Sequence, residues 1–211
     1  MPFGSYSELR DTLKSWLKRR DLDDSIADFV ALAESRMSTD ISDLPPMQRS
    51  VVVTTTPGQR TLALPTGFMW LKYAKAADGC DIDVVIPATI DASLRVGGRP
   101  QRIAFAGDQA LLDPTPDAAH PITLAYVARI PALSDANPTN WVLQQAPQMY
   151  LYASLLEAEP FLANDARAAL WGTAYQVALD GLRAQRWTGN PKLQHEPALA
   201  GGGHFDIVTG S

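Results

Sequence analysis

The chain has 211 residues, of which 46% are hydrophobic and 19% are charged, so it can bury a core and is not a disordered protein. Its formal net charge of −5 argues against non-specific binding to nucleic acid, which needs clustered lysine and arginine residues. No apolar run approaches the roughly 20 residues of a membrane span, and the N-terminal residues lack the pattern of a secretory signal.

Two amphipathic helices are predicted at the N-terminus. Ser5 and Glu8 have the spacing of a capping box, and apolar residues follow at helical intervals, which predicts a first helix over residues 6–19. Asp23 or Asp24 is then expected to cap a second helix, which ends before two consecutive prolines.

The middle of the chain is rich in β-branched residues and turn signals. We predict a hairpin in which residues 50–56 pair with residues 59–64 around the turn Pro57-Gly58. The other elements predicted in this segment are strands at residues 67–75, 81–86 and 122–129 and a short helix at residues 89–96.

A second hairpin is the best-defined local feature of the middle segment. The two-residue turn Gly107-Asp108 lies between two short strand patterns, a combination that favours a tight hairpin. Counting outward from the turn places Arg102 opposite Asp113, which is a favourable charge pair. On the other face, the same register pairs Phe105 with Ala110 and Ile103 with Leu112.

Two antiparallel helices are predicted over residues 141–186, with Asn137 as the cap of the first helix. The first helix is apolar on more than one face, so further elements or subunits must cover it. The second helix has a row of small and apolar residues that lets a partner helix approach closely, with Trp171 and Tyr175 as a bulkier flank. The members of this row are Ala166, Ala169, Leu170, Thr173, Ala174, Val177, Ala178, Gly181 and Leu182.

These patterns predict an α+β fold, in which two N-terminal and two C-terminal helices form a four-helix bundle with an inserted small antiparallel β domain and an extended C-terminal tail. Residues 1–46 and 137–186 are assigned to the bundle, residues 47–136 to the β-rich insertion and residues 187–211 to the tail. The tail lacks periodicity but contains large apolar residues. It is therefore either a floppy terminus or a segment that orders on a partner.

No catalytic or metal-binding pattern is evident in the sequence. His120, His195 and His204 are scattered, without companions at metal-ligand spacing. Cys80 is the single cysteine, which excludes an internal disulfide, and we interpret it as a partly buried structural thiol rather than a nucleophile. The sequence therefore predicts a structural or interaction protein that is not an enzyme and needs no cofactor.

Four segments, taken in order, resemble head-to-tail adaptor (connector) proteins of tailed bacteriophages. The segments cover roughly residues 5–185 and read SYSELRDTLKSWLKRRDL, IADFVALAESRMSTDI, RIAFAGDQALLDPTPDAAHPITLAYVARIPALSDANPTNWVLQQAPQMYLYASLLEAEPF and DARAALWGTAYQVAL. The resemblance implies a homo-oligomeric ring, usually a dodecamer, beneath the portal protein at the capsid vertex. It also implies contact with downstream tail or nozzle proteins, passage of double-stranded DNA without sequence-specific binding, and no membrane contact.

The resemblance implies that the protein is assembled into the virion in the host cytoplasm. It also indicates which residues contact partners there. In such adaptors the C-terminal segment commonly reaches onto the portal, and the inserted domain faces the tail. The expected portal contacts are Trp187, Leu193, Phe205, Ile207 and Val208. The expected subunit-interface residues are Tyr150, Tyr152, Trp171 and Tyr175.

Two other interpretations are compatible with the residues. One is a tail-completion or nozzle protein that does not contact the portal. The other is a soluble ligand-binding module or hydrolase built on the β-rich insertion, which would need a pocket with convergent polar groups.

Overall fold

The computed structural model describes residues 3–18, 20–91, 97–162 and 167–185. Within these ranges the chain forms one seven-stranded sheet and six α-helices, an α+β architecture. The helices are α1 (Tyr6–Leu17), α2 (Ile26–Asp40), α3 (Pro87–Asp91), α4 (Trp141–Gln145), α5 (Pro147–Ala158) and α6 (Ala168–Arg183). The strands are β1 (Gln48–Thr54), β2 (Thr61–Ala63), β3 (Phe68–Ala76), β4 (Asp81–Val84), β5 (Arg102–Ala106), β6 (Gln109–Asp113) and β7 (Pro121–Ala128).

The predicted four-helix bundle with a small antiparallel β domain is wrong. The sheet has seven strands in the order β1-β7-β3-β4-β5-β6-β2, and its β4–β5 pairing is parallel. The helices do not close a core by themselves either, because Val127 of β7 and the following Ile130 and Leu133 are buried among them. The division of the chain into separate domains stays a prediction, and the predicted tail lies outside the described residues.

The segment predicted as the first C-terminal helix is two helices, α4 and α5, separated at Ala146. Pro147 opens α5, because its missing amide hydrogen is tolerated in a first helical turn and would interrupt a continuous helix. Asn140, rather than the predicted Asn137, caps α4, since its side-chain oxygen accepts a hydrogen bond from the backbone nitrogen of Leu143 at 2.9 Å. The chain turns at this break, and α5 then runs through the middle of the helical region.

The N-terminal helices follow the predicted positions with one difference in capping. Ser5 caps α1 by accepting a hydrogen bond from the Glu8 backbone nitrogen at 3.4 Å, and the Glu8 carboxylate accepts one from the Gly4 nitrogen at 2.7 Å. The second helix begins later than expected, because Asp23 and Asp24 lie in a 3₁₀ helix over Arg20–Ser25 that precedes it.

The predicted pairing of residues 50–56 with residues 59–64 is wrong. β1 pairs with β7 and β2 pairs with β6, so the two segments lie at opposite edges of the sheet. β7 is buried along most of its length and needs a strand on each side, which β1 and β3 supply. The chain therefore forms the long-range β1–β7 pairing and not the local hairpin around Pro57-Gly58.

The second predicted hairpin is confirmed in position and register. β5 and β6 flank the turn, where Gly107 has the left-handed φ of 64° that glycine tolerates best. Arg102 lies opposite Asp113, and its Nε and Nη2 donate to Asp113 Oδ2 at 2.8 and 2.5 Å. The Asp113 side chain is only 1% exposed, so this pair is an internal bond of the sheet region. The apolar pairs formed by Phe105 with Ala110 and by Ile103 with Leu112 also match.

Candidate interaction surfaces

A buried polar network joins the helices to the chain that leaves the sheet. Glu34 of α2 accepts hydrogen bonds from the Leu133 backbone nitrogen at 2.7 Å and from the Tyr150 hydroxyl at 3.1 Å. Asn140 donates through Nδ2 to the Tyr150 oxygen at 2.5 Å and to the Pro131 carbonyl at 2.7 Å. α2, the connector after β7 and the start of α5 are therefore held in one arrangement.

The protonation of this network is set by its burial. Burial raises the pKa of Glu34 above its ordinary value of 4.5, and the hydrogen bonds from Leu133 and Tyr150 offset part of this rise. The pKa of Tyr150 is also raised, first by burial and then by the nearby charge of Glu34. The tyrosine hydroxyl therefore keeps its proton and acts as a structural donor.

The inner face of α6 packs against α5 and is tied to the end of α2. Tyr175 donates its hydroxyl proton to Asp40 Oδ2 at 2.5 Å, and Arg183 donates to the Asp40 carbonyl oxygen. Trp171 lies on the same face and is 1% exposed, with the guanidinium carbon of Arg167 5.1 Å from its ring centre. These contacts fix the orientation of α6 and leave its opposite face uncovered.

The four aromatic residues expected at a subunit interface lie within the helical region. Tyr150, Trp171 and Tyr175 are buried inside the single chain, where they fill its core. Tyr152 is half-buried and packs edge-to-face against Trp16, with 6.1 Å between the ring centres. A role for these four residues between subunits stays a prediction.

The residues expected to contact a portal are Trp187, Leu193, Phe205, Ile207 and Val208. They all lie outside the described residues. Their role stays a prediction as well.

An apolar face of α6 is the first exposed surface of note, and we name it the α6 outer face. The predicted row of small residues divides across the helix, because Ala178 and Leu182 are buried against the core. Leu170 and Val177 are 66% and 67% exposed on the opposite side. The α6 outer face consists of Ala169, Leu170, Thr173, Val177 and Gly181, which are all exposed, and the exposed Asp180 lies on the same side of the helix. Sequence periodicity alone did not separate the two faces. The large aromatic residues Trp171 and Tyr175 lie on the buried face, and their positions could have identified it.

A groove on the sheet is the second exposed surface of note, and sequence reasoning missed it. It has a volume of about 670 Å³. Phe68 and Phe105 both line it, with 5.5 Å between their ring centres, and Phe68 also stacks on Tyr126 of β7, with 5.6 Å between those ring centres. The main lining residues are Leu64, Phe68, Trp70, Leu71, Val84 and Phe105. This lining suits apolar side chains of a macromolecular partner and offers no convergent set of polar groups for catalysis.

His120 and Cys80, which the sequence analysis considered for chemistry, are separate from these surfaces, and His195 and His204 lie outside the described residues. His120 is bound to Asp117, with Nε2 and Oδ1 2.7 Å apart, in the loop before β7. Cys80 is exposed, so the prediction of a partly buried thiol is wrong; it lies in the β3–β4 turn, where its backbone nitrogen donates to Asp78. Among the described residues, no group of three His, Cys, Asp or Glu side chains is arranged to hold a metal ion. In the same ranges no helix has both the length and the apolar composition of a membrane span.

Comparison with known proteins adds a family to this description. The sequence model of the family described as SU10 adaptor protein matches residues 5–194, which is most of the chain. A search of curated proteins finds no match. The matched range contains both N-terminal helices, the whole sheet and the three C-terminal helices, so it is not a match to one motif. The chain therefore belongs to the SU10 adaptor protein family.

Proposed function

We propose that this chain is a head-to-tail adaptor that forms a dodecameric ring beneath the portal of a tailed bacteriophage and continues the DNA channel towards the tail. Membership of a family of phage structural adaptors, over residues 5–194, is the observation that carries the proposal. The protein then resides in the virion at the head–tail interface, after assembly in the host cytoplasm. In this role the protein joins the capsid vertex to the tail and catalyses no reaction.

The arrangement of surfaces supports a joining role. A ring subunit needs lateral contacts with two neighbours and axial contacts with the components above and below it. The α6 outer face and the sheet groove are two uncovered apolar surfaces on different parts of the fold. Contiguous exposed apolar patches on a protein surface commonly mark sites of protein–protein interaction. We assign the sheet groove to a tail or nozzle protein below the ring.

The C-terminal segment is the proposed contact with the portal. Residues 187–211 include large apolar side chains that a partner could bury, among them Trp187, Leu193, Phe205, Ile207 and Val208. Burial of these side chains by a second protein would supply the apolar contacts that order such a segment.

The charge of the chain suits a conduit for DNA. The net charge of −5 per subunit, repeated around a ring, favours a negative wall that repels phosphate and lets the duplex slide. A bore lined mainly by lysine and arginine residues would contradict this part of the proposal.

Reconstitution with the portal of the same phage tests the proposal. The purified full-length chain is mixed with that portal and imaged by electron microscopy, and a stoichiometric ring on the portal is expected. A variant that lacks residues 187–211 is the matched comparison, since it should keep the folded helical core and lose portal docking. Persistent failure of the full-length chain to bind the portal would favour a tail-completion or nozzle protein instead.

A further inference from the structure

We propose that the free edge of β1 binds an extended, acidic segment of another protein, which adds to the sheet as a further strand. The site combines the outward backbone groups of β1 with three cationic side chains near its first residues, Arg49, Lys72 and Arg129. The inference goes beyond the proposed ring and does not depend on it, because all these groups belong to one subunit.

β1 is a regular strand that is paired on one side only. Its residues pair with β7 in an unbroken antiparallel register from Gln48 to Thr54, and no other strand of the described ranges lies beside it. Proteins commonly block an exposed edge with charged residues, proline or a bulge. β1 has one charged residue, Arg49 near its start, and neither proline nor a bulge. The rest of its edge can therefore accept another strand.

The register shows which backbone groups of β1 point outward. The Thr55 nitrogen donates to the His120 carbonyl at 3.0 Å, so the backbone of Thr55 faces the β7 side. Since the direction of bonding alternates along an antiparallel strand, the N–H and C=O groups of Ser50, Val52 and Thr54 point away from β7. No described residue bonds to these groups. An extended backbone is the ligand whose own N–H and C=O groups match such a row.

Three cationic side chains line two adjoining hollows at the start of β1. The hollows have volumes of about 200 and 410 Å³ and share Arg49 and Tyr126. Lys72 lines the first hollow and Arg129 the second, and neither hollow is lined by aspartate or glutamate. Within the described part of the chain, no carboxylate forms an ion pair with Arg49, Lys72 or Arg129.

The charge at this end of β1 favours an acidic partner. The Arg49 guanidinium donates to the carbonyls of Pro46 and Gln48 at 2.9 and 3.2 Å, but both acceptors are neutral and leave its charge uncompensated. Lys75 on β3 differs, because its ammonium lies 3.6 Å from the Asp81 carboxylate. The chain as a whole has a net charge of −5, so this local excess of positive charge is contrary to its overall balance. Carboxylates on a bound segment would complement it.

The two features together define a pattern for the partner. Arg49 and Val52 project to opposite faces of β1, because successive side chains alternate along a strand. The Val52 side chain is 62% exposed. A segment paired along this edge therefore needs uncharged, β-branched or apolar residues on the Val52 face and acidic residues on the Arg49 face. Phosphates of DNA would satisfy the cations but would leave the outward N–H and C=O groups unused, so the geometry favours a polypeptide.

Binding of a synthetic strand to the full-length chain tests the inference. The probe is a fluorescent peptide of about ten residues, enough to span β1, that alternates threonine and glutamate. The control peptide alternates threonine and lysine. Fluorescence anisotropy should give a dissociation constant of about 10–100 µM for the acidic peptide and no binding of the basic one. Absence of binding at about 1 mM acidic peptide, or equal binding of the two peptides, overturns the inference.

A proline variant tests the backbone contact. Val52→Pro removes an outward N–H without removing a bond to β7, so the subunit should stay folded and peptide binding should weaken by about tenfold or more. Val52→Thr keeps the N–H and is the matched control, which should bind like the unchanged chain. Thermal unfolding shows whether each variant is folded. Unchanged peptide binding by folded Val52→Pro overturns the strand addition.

Two lysines of β3 test the charge contribution. At about 0.15 M salt, Lys72→Gln should weaken binding of the acidic peptide by about twofold to fivefold. Lys75→Gln is the matched control and should leave binding unchanged, because Lys75 already pairs with Asp81. Equal losses at the two positions, or no loss at Lys72, contradict the assignment of the cations to this site.

Amide hydrogen exchange of the full-length chain, followed by nuclear magnetic resonance, identifies the occupant. Without peptide, the Val52 N–H should exchange faster than those of Val51 and Val53, which face β7, and the acidic peptide should slow it. Slow exchange at Val52 without peptide would show that the chain's own residues cover the edge or, where it depends on protein concentration, that a second copy does. Displacement of the peptide by a DNA duplex whose binding Val52→Pro leaves unchanged would assign the cations to phosphate. Each of these three results overturns the inference.

Discussion

The helical region and the sheet region of this protein reach stability in different ways. The helical region has a buried polar network around Glu34 and Tyr150 and places every inner helix face against α5. The sheet region has its own apolar core and a buried carboxylate, Asp113, which pairs with Arg102 and Arg60. The helical region nevertheless leaves the α6 outer face uncovered, and the sheet leaves an aromatic groove. Each region therefore has a closed interior and a separate exposed apolar surface.

The largest effect is expected where the α6 inner face meets the helical core. Trp171→Ala should lower the free energy of unfolding by about 3–5 kcal/mol, because it leaves a cavity where a 1%-exposed indole was packed. Urea denaturation of the monomer measures this change. The neighbouring Leu170→Ala is the matched control and should change the value by no more than about 0.5 kcal/mol. Equal losses at the two positions would mean that the inner and outer faces of α6 are wrongly assigned.

The second-largest loss of stability is expected in the sheet region. Asp113→Ala should lower the free energy of unfolding by about 3 kcal/mol, because it removes the buried carboxylate that pairs with the Arg102 and Arg60 guanidinium groups. The exposed pair of Lys75 and Asp81 provides the control, since Asp81→Ala should cost less than about 1 kcal/mol. Denaturation midpoints of the two variants measure the difference. A small loss at Asp113 would show that this pair does not stabilise the sheet.

A smaller effect is expected in the buried network of the helical region. Tyr150→Phe removes the hydroxyl that donates to Glu34 and should lower the free energy of unfolding by about 1–2 kcal/mol. Tyr152→Phe is the matched control, because the Tyr152 side chain is half-buried and lies beside Trp16. Equal free energies of unfolding for the two variants would contradict the inference that this network holds α2, the connector after β7 and α5 together.

The pH dependence of stability tests the same network. The folded state holds the Glu34 proton to higher pH than the unfolded state, because burial raises the pKa of the carboxyl above 4.5. As pH rises through the interval between the unfolded and folded pKa values, the free energy of unfolding should therefore fall, and it should level off above the folded pKa. Denaturation at several pH values measures this slope. Glu34→Gln should flatten it, and an unchanged slope would assign the dependence to other groups.

The smallest effect on the isolated subunit is expected at the α6 outer face. Val177→Glu should change the free energy of unfolding by about 0.5 kcal/mol or less, because the side chain is exposed. Trp171→Ala, on the covered face of the same helix, provides the contrast with its expected loss of about 3–5 kcal/mol. Urea denaturation of the two variants measures the difference. A loss of more than about 1 kcal/mol at Val177 would contradict its position on the uncovered side of α6.

Local signals made part of the fold predictable. The Gly107-Asp108 turn set the register that brings Arg102 to Asp113, because the strands on either side are joined by only two residues. The capping residues Ser5 and Glu8 likewise placed α1. In both places the residues that determine the structure are neighbours in the sequence.

Other features depend on parts of the chain that are distant in sequence. The partner of β1 is β7, about seventy residues later, so the Pro57-Gly58 turn gave a false hairpin. The parallel β4–β5 pairing and the sheet groove arise from the same long-range order of strands. Helical periodicity placed α6 but did not tell its covered face from its free face, since Ala178 and Val177 are both apolar. The surfaces proposed to contact partners were therefore the least predictable.

The most direct test of the account is a cryo-electron microscopy reconstruction of the full-length chain bound to the portal of its phage. The account predicts a closed ring directly beneath the portal, with residues 187–211 against the portal and the sheet groove directed towards the tail. A chain bound only to tail components, or present as isolated subunits without a ring, would contradict the account.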